Sequence, residues 1–141
     1  MPTKPRVLFL CSANSARSQM AEALLRRHAG DCYEVHSAGI EAHGINPYTV
    51  RVLDELGVDT SQHRSKPLDE YLGRTHFGYL ITVCDRAAEA CPVVPGIGQQ
   101  LHWPFEDPAA FVGTDEETMD RFRQIRDQID AHIRQWLAEQ A

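Results

Sequence analysis

Cys11 and Arg17 stand six positions apart, with Ser18 directly after, in the run Cys11-Ser12-Ala13-Asn14-Ser15-Ala16-Arg17-Ser18. A thiol, a guanidinium and a hydroxyl at this spacing could hold a tetrahedral oxyanion and attack it. The planar Arg17 fork offers two parallel donors to such a ligand. Positive groups beside a thiol favour the thiolate, which is the nucleophile. The flanking sequence supplies the frame: Val7-Leu8-Phe9-Leu10 is an apolar run of strand length, and Gln19 to His28 has helical periodicity. A loop from a strand's carboxyl end to a helix's amino end turns its N–H groups inward, where they and the helix dipole favour negative charge. Ser12, Ala13, Asn14, Ser15, Ala16 and Arg17 are therefore the expected oxyanion-binding residues. The competing reading makes Cys11 a small buried hydrophobe ending a strand, as most free cysteines are. The spacing to Arg17 favours the chemical reading.

Three further residues have chemical potential. Cys84 follows the apolar run Tyr79-Leu80-Ile81-Thr82-Val83 as Cys11 follows its own, and Cys91 lies seven residues later, before Pro92. Strand ends of a parallel sheet share one edge, so Cys84 is expected to open at the same edge of the sheet as Cys11. Two thiols near a nucleophilic thiol permit a relay in which each disulfide is attacked by the next thiolate. On spacing alone, incidental loop cysteines are an equal alternative. Asp107 precedes Pro108 and could protonate a departing oxygen, although most Asp-Pro pairs only make turns. No metal is expected, because neither the four cysteines nor the seven histidines show paired ligand spacing. Cys32, before the second strand, is expected to be structural.

The remaining elements follow from pattern. The first helix should bury Met20, Ala21, Leu24 and Leu25, leave Glu22, Arg26 and Arg27 mostly on its other side, and stop near Gly30. A second strand is expected from Tyr33 to His36, ending at Ser37-Ala38-Gly39. Asn46-Pro47 should open a helix with the stripe Val50, Leu53 and Leu56, ended by Gly57, and a shorter helix should run from Ser65-Lys66-Pro67 to Leu72. Tyr79 to Val83 reads as a strand, Cys84 to Gly98 as an irregular mobile loop with one helical turn, and Gln100 to Trp103 as a short strand. A Thr114-x-x-Glu117 capping box should start the last helix, with Met119, Phe122, Ile125, Ile129, Ile133 and Trp136 as its core face. The alternation implies a single doubly wound α/β domain over residues 1–141, with a four-stranded parallel sheet and its site at the strand carboxyl ends.

Bulk properties agree with that plan. A chain of 141 residues, 43% hydrophobic, supports one core. Its 20 acidic and 14 basic residues give a net charge of -6, which argues against a nucleic-acid surface. No signal peptide is read at Met1-Pro2-Thr3-Lys4-Pro5, and no apolar run approaches the roughly 20 residues of a membrane span. A cytoplasmic monomer without bound cofactor is expected.

Cys-x5-Arg-Ser in its strand-loop-helix setting resembles the phosphate loop of the low-molecular-weight tyrosine phosphatase superfamily. Cys84-x6-Cys91-Pro92 with His102-Trp103-x-Phe105-x-Asp107-Pro108 resembles the thioredoxin-coupled arsenate reductases built on that fold. The likeness extends over Arg17-Ser18-Gln19-Met20-Ala21-Glu22, Ser37-Ala38-Gly39-Ile40 and His43-Gly44-x-Asn46-Pro47. It implies that Cys11 attacks arsenate held by the loop amides and Arg17, that Asp107 protonates the leaving oxygen, and that Ser18 hydrogen-bonds the Cys11 thiolate. It further implies a Cys11–Cys84 disulfide as arsenite departs, then a Cys84–Cys91 disulfide reduced by thioredoxin. A phosphatase acting on phosphotyrosine or a small phosphate ester would need only Cys11, Arg17 and Asp107, and a thiol redox sensor would leave the oxyanion loop unexplained.

Two positions depart from the resemblance. Ala16 stands where some relatives have a further cysteine. Lys66 stands where some carry an acidic residue that helps bind potassium near Asn14, Glu22 and Ser37. Either the Lys66 ammonium takes the ion's place and meets Glu22, or Lys66 is a solvated lysine before a proline.

Overall fold

A strand covered by helices on both faces must be apolar throughout, and β1 (Arg6–Cys11) is buried from Val7 to Cys11. It pairs in parallel with β2 (Glu34–Gly39) on one side and β3 (Tyr79–Thr82) on the other, and β3 pairs in parallel with β4 (Gln99–His102). The order β2-β1-β3-β4 is the four-stranded parallel sheet expected from the sequence. Helices α1 (Arg17–Ala29), α2 (Pro47–Asp54), α3 (Asp85–Ala90) and α4 (Asp115–Gln140) flank it, with 3₁₀ turns at Leu68–Glu70 and Pro108–Ala110. This computed structural model describes residues 4–71, 75–90 and 97–140.

The chain leaves β1 for β2 and then returns to the opposite flank of β1 as β3. Open α/β sheets bind ligands at such a reversal, where loops diverging from adjacent strand ends leave a crevice. Cys11 ends β1, and Cys84 lies two residues past β3. The pairing of Leu10 with Thr82 and the bond from Val83 N to Leu10 O (2.9 Å) bring these two strand ends together.

The core is filled from β1 by Leu8, Phe9 and Leu10, from α1 by Met20, Leu24 and Leu25, and from α4 by Phe122, Ile125 and Ile129. Met119, Ile133 and Trp136 complete the α4 stripe as expected. Each such side chain contributes about 1.5–3 kcal/mol by leaving water. Arg126, also buried on α4, donates to Val52 O at 2.9 Å and Glu55 Oε1 at 2.8 Å, which fastens the end of α2 to α4. The capping box forms, with Glu117 N donating to Thr114 Oγ1 at 3.1 Å and Thr114 N to Glu117 Oε1 at 3.0 Å. Thr114→Ala is therefore expected to cost about 1 kcal/mol and to lower Tm by about 4 °C in a thermal melt.

Four expectations are corrected. Helix α1 starts at Arg17, two residues early, so Arg17 and Ser18 sit in its first turn. In α2, Val50 is exposed and Thr49 is buried in its stead, because the Thr49 hydroxyl donates to Ser15 O at 3.0 Å. The short helix from Ser65 is only the turn Leu68–Glu70, and Leu72 lies outside the described residues. After Cys84 the expected helical turn forms as the longer six-residue α3, and residues 91–96 of the expected loop lie outside the described residues.

Candidate active site

The loop from Cys11 to Ala16 is shaped by where its carbonyls go. Cys11 O accepts from Ile40 N, Ser12 O from Glu41 N, Ala13 O from His43 N and Ser15 O from Asn46 N, at 3.0–3.1 Å. Asn14 O accepts from Gln19 Nε2 at 3.3 Å and Ala16 O from Met20 N at 2.9 Å. Every loop carbonyl is thus engaged, and Asn14 N points at Cys11 Sγ in the concavity at 3.2 Å. No side chain caps α1, so its first-turn N–H groups are left for a ligand. This close wrapping needs Gly39: a Cβ there would lie 2.7 Å from Asn14 N and 2.8 Å from Ala13 C, both backbone atoms.

The concavity measures about 100 Å³ and is lined by Cys11, Ser12, Ala13, Ser15, Ala16, Arg17, Asp107 and Ala109. Pockets for larger organic ligands run to roughly 300–1,000 Å³, so the space suits a small oxyanion. Arg17 Nη1 donates to Phe105 O at 3.0 Å, and its Nη2 lies 3.8 Å from Asp107 Oδ2. Asp107 caps the Pro108–Ala110 turn through Ala109 N at 2.9 Å, which points its other carboxylate oxygen toward Arg17. The turn expected of Asp-Pro and the acid at the cavity are thus one arrangement.

Cys11 Sγ accepts from Asn14 N at 3.2 Å and lies 2.8 Å from Ser18 Oγ. Ser18 Oγ accepts from Asn14 Nδ2 at 2.8 Å, so its own proton is free to point at sulfur and support a thiolate. Asn14, placed among the oxyanion-binding residues by its sequence position, turns its side chain away from the cavity. It holds the left-handed backbone (φ 50°) that asparagine tolerates better than most residues. Its Nδ2 donates to Ser18 Oγ and to Ser37 Oγ (3.0 Å), and its Oδ1 accepts from Gln19 Nε2 (3.0 Å) and Lys66 N (2.8 Å). All four valences of the amide are used. Asn14→Ala should cost roughly 2–4 kcal/mol, because it orphans buried partners at a strained backbone position. Urea denaturation checks this, and peptide-mapped iodoacetamide labelling should show slower alkylation of Cys11.

Behind Asn14 lies a charged cluster. Glu22, expected on the outer side of α1, is buried, and its Oε1 accepts from Ser37 Oγ at 2.7 Å. His63 Nδ1 is 3.2 Å from Gln19 Oε1, and burial pushes this imidazole below its usual value, against the pull of Glu22. Gln19, His63 and Gly39 support the loop but were not assigned that role from sequence. Gln19 reaches Asn14 five positions away, but its other partners Arg64 and His63, and the loop backbone beside Gly39, are distant in the chain, and only Gly39 at the end of a strand carries a signal.

Cys84 is buried, and its Sγ accepts from Ala87 N at 3.3 Å at the start of α3. Cys91 lies outside the described residues. Cys32 is exposed, before β2. Among the described residues, no cluster of His, Cys, Asp or Glu suits a metal ion and no helix is long and apolar enough to cross a membrane.

Comparison with known proteins agrees with this architecture. The family model described as low molecular weight phosphotyrosine protein phosphatase matches residues 6–141. The chain is 44% identical over 131 residues to an arsenate reductase of Halalkalibacterium halodurans, covering 93% of this chain and 94% of that one. Among solved structures, a thioredoxin-dependent arsenate reductase of Corynebacterium glutamicum is 34% identical with a TM-score of 0.72, over 96% of this chain and 61% of its own. The tyrosine phosphatase Wzb of Escherichia coli K30, 17% identical, shares the fold with a TM-score of 0.76 over 99% of this chain and 100% of its own. A family model that matches from Arg6 in the first strand to the chain's last residue, and a relative 44% identical over nearly the whole of both chains, show that this chain belongs to the low-molecular-weight phosphotyrosine protein phosphatase family.

Proposed function

We propose that this protein is an arsenate reductase that passes two electrons from thiols to arsenic and is regenerated by thioredoxin. The observation that carries the reading is the second buried thiol, Cys84, at the strand end adjoining the Cys11 cradle. A phosphatase has no use for it. In this mechanism the loop amides and Arg17 bind arsenate, Cys11 Sγ bonds to arsenic, and one oxygen departs as water with a proton from Asp107. The Cys84 thiolate then attacks Cys11 Sγ. The electron pair of the sulfur–arsenic bond passes to arsenic, which leaves as arsenite, and a Cys11–Cys84 disulfide remains. Cys91 attacks Cys84, freeing the Cys11 thiolate, and thioredoxin reduces the Cys84–Cys91 disulfide by exchange. No bound cofactor is needed. Every residue this scheme uses belongs to the one chain, which suits a monomer, and free thiols between turnovers suit the reducing cytoplasm.

Arsenate-dependent NADPH oxidation in the presence of thioredoxin and thioredoxin reductase tests the reading. One arsenite should appear for each NADPH consumed. Hydrolysis of p-nitrophenyl phosphate without any arsenate-dependent oxidation would replace this reading with that of a phosphatase.

A further inference from the structure

The side of the oxyanion loop away from the cavity holds a buried carboxylate facing a buried ammonium. Lys66 is 7% exposed, and its Nζ donates to Arg64 O at 2.8 Å and lies 3.8 Å from Glu22 Oε1. Lys66 is therefore not a solvated surface residue. Glu22 is 4% exposed, and its other neighbours are Arg26, whose Nη1 donates to Oε2 at 3.2 Å from a half-exposed side chain, and His63 Nδ1 at 3.8 Å. From Glu22 the contacts run through Ser37 Oγ to Asn14 Nδ2, and Asn14 N reaches Cys11 Sγ.

The family resemblance places a potassium ion near Asn14, Glu22 and Ser37, and the residues here do not fit one. A hard cation needs free oxygen lone pairs. Asn14 Oδ1 is already filled by Gln19 Nε2 and Lys66 N, and Ser37 Oγ, which accepts from Asn14 and donates to Glu22, keeps a single lone pair. The position that would add a carboxylate carries an ammonium instead.

We propose that the Lys66 ammonium is a built-in counter-ion, standing in for a bound monovalent cation and positioning Cys11 through Glu22, Ser37 and Asn14. Lys66 is thus a positioning residue. A fixed cation without a partner would be costly in this buried place, and without Lys66 the Oε1 side of Glu22 would lose its facing cation, Arg26 meeting only Oε2 from a half-exposed side chain. Burial draws the Lys66 ammonium below its ordinary value while Glu22 draws it back, so the two charges depend on each other.

The proposal rests on the mechanistic reading only in taking Cys11 as the nucleophile, and its test uses no arsenate. Tm and the peptide-mapped rate of Cys11 alkylation by iodoacetamide are measured in potassium chloride and in tetramethylammonium chloride at equal ionic strength. The wild type should behave alike in both salts. Lys66→Asp should lose roughly 4 °C or more in tetramethylammonium, alkylate Cys11 more slowly there, and recover both properties as potassium is added. Lys66→Met should alkylate more slowly in both salts and recover in neither. Potassium stabilisation of the wild type would overturn the proposal, as would wild-type alkylation by Lys66→Met. If Lys66→Asp does not fold, these two measurements still decide.

Discussion

Cys11→Ser is expected to fold normally and to lose arsenate turnover by on the order of 10⁴-fold or more, the range seen when a covalent nucleophile is removed. The substitution is nearly isosteric, and the hydroxyl can keep the contacts with Asn14 N and Ser18 Oγ that now hold the sulfur. A hydroxyl is, however, a far weaker nucleophile than a thiol. An oxygen at this position also cannot form the disulfide through which electrons leave. The measurement is arsenite production under steady state with the thioredoxin system, alongside a melt in sulfate to show that the loop still binds an oxyanion. Steady turnover by this variant would remove Cys11 from the chemistry altogether.

The relay gives the second large effect, and it differs for each thiol. Cys84→Ser should trap arsenic on Cys11 and release no arsenite beyond background. Cys91→Ser should release about one arsenite per enzyme and stop, since the Cys11–Cys84 disulfide then has no internal thiolate to open it. Cys32→Ser should cycle like the wild type, because Cys32 is exposed before β2, away from the loop. A rapid-quench count of arsenite per enzyme separates the three variants, and non-reducing peptide maps identify the disulfide in each. Multiple turnover by Cys91→Ser at the wild-type rate would exclude the three-thiol scheme.

Much of this arrangement was legible in the sequence, for reasons visible in particular residues. Val7 to Leu10 and Tyr79 to Val83 are continuous apolar runs, and only strands buried on both faces need them. The α4 stripe from Met119 to Trp136 and the Thr114–Glu117 box are local signals, and the structure has both. Glu22 shows where such signals end. Helical periodicity assigned it to the polar side of α1, yet that side faces Ser37 and Lys66, 15 and 44 positions away in the chain. Periodicity names a face but not its neighbour. Val50 was misplaced for a related reason, since the inward position went to Thr49, whose hydroxyl the loop carbonyl of Ser15 needed. Whether Lys66 meets Glu22 or solvent depends on its depth, which no sequence pattern encodes.

The engaged carbonyls of the oxyanion loop have a thermodynamic corollary. The bonds that give the loop its shape also hold down the segment from Ile40 to Asn46, because Ile40 N, Glu41 N, His43 N and Asn46 N all end on it. Shape and anchorage are one set of interactions, so an oxyanion that selects the shaped loop also secures that segment. By linkage, an oxyanion at a hundred times its Kd adds about 2.7 kcal/mol to the folded state. An oxyanion that fits the loop would thereby act on this protein as a folding ligand, and Tm should rise with the concentration of phosphate or sulfate in a thermal melt.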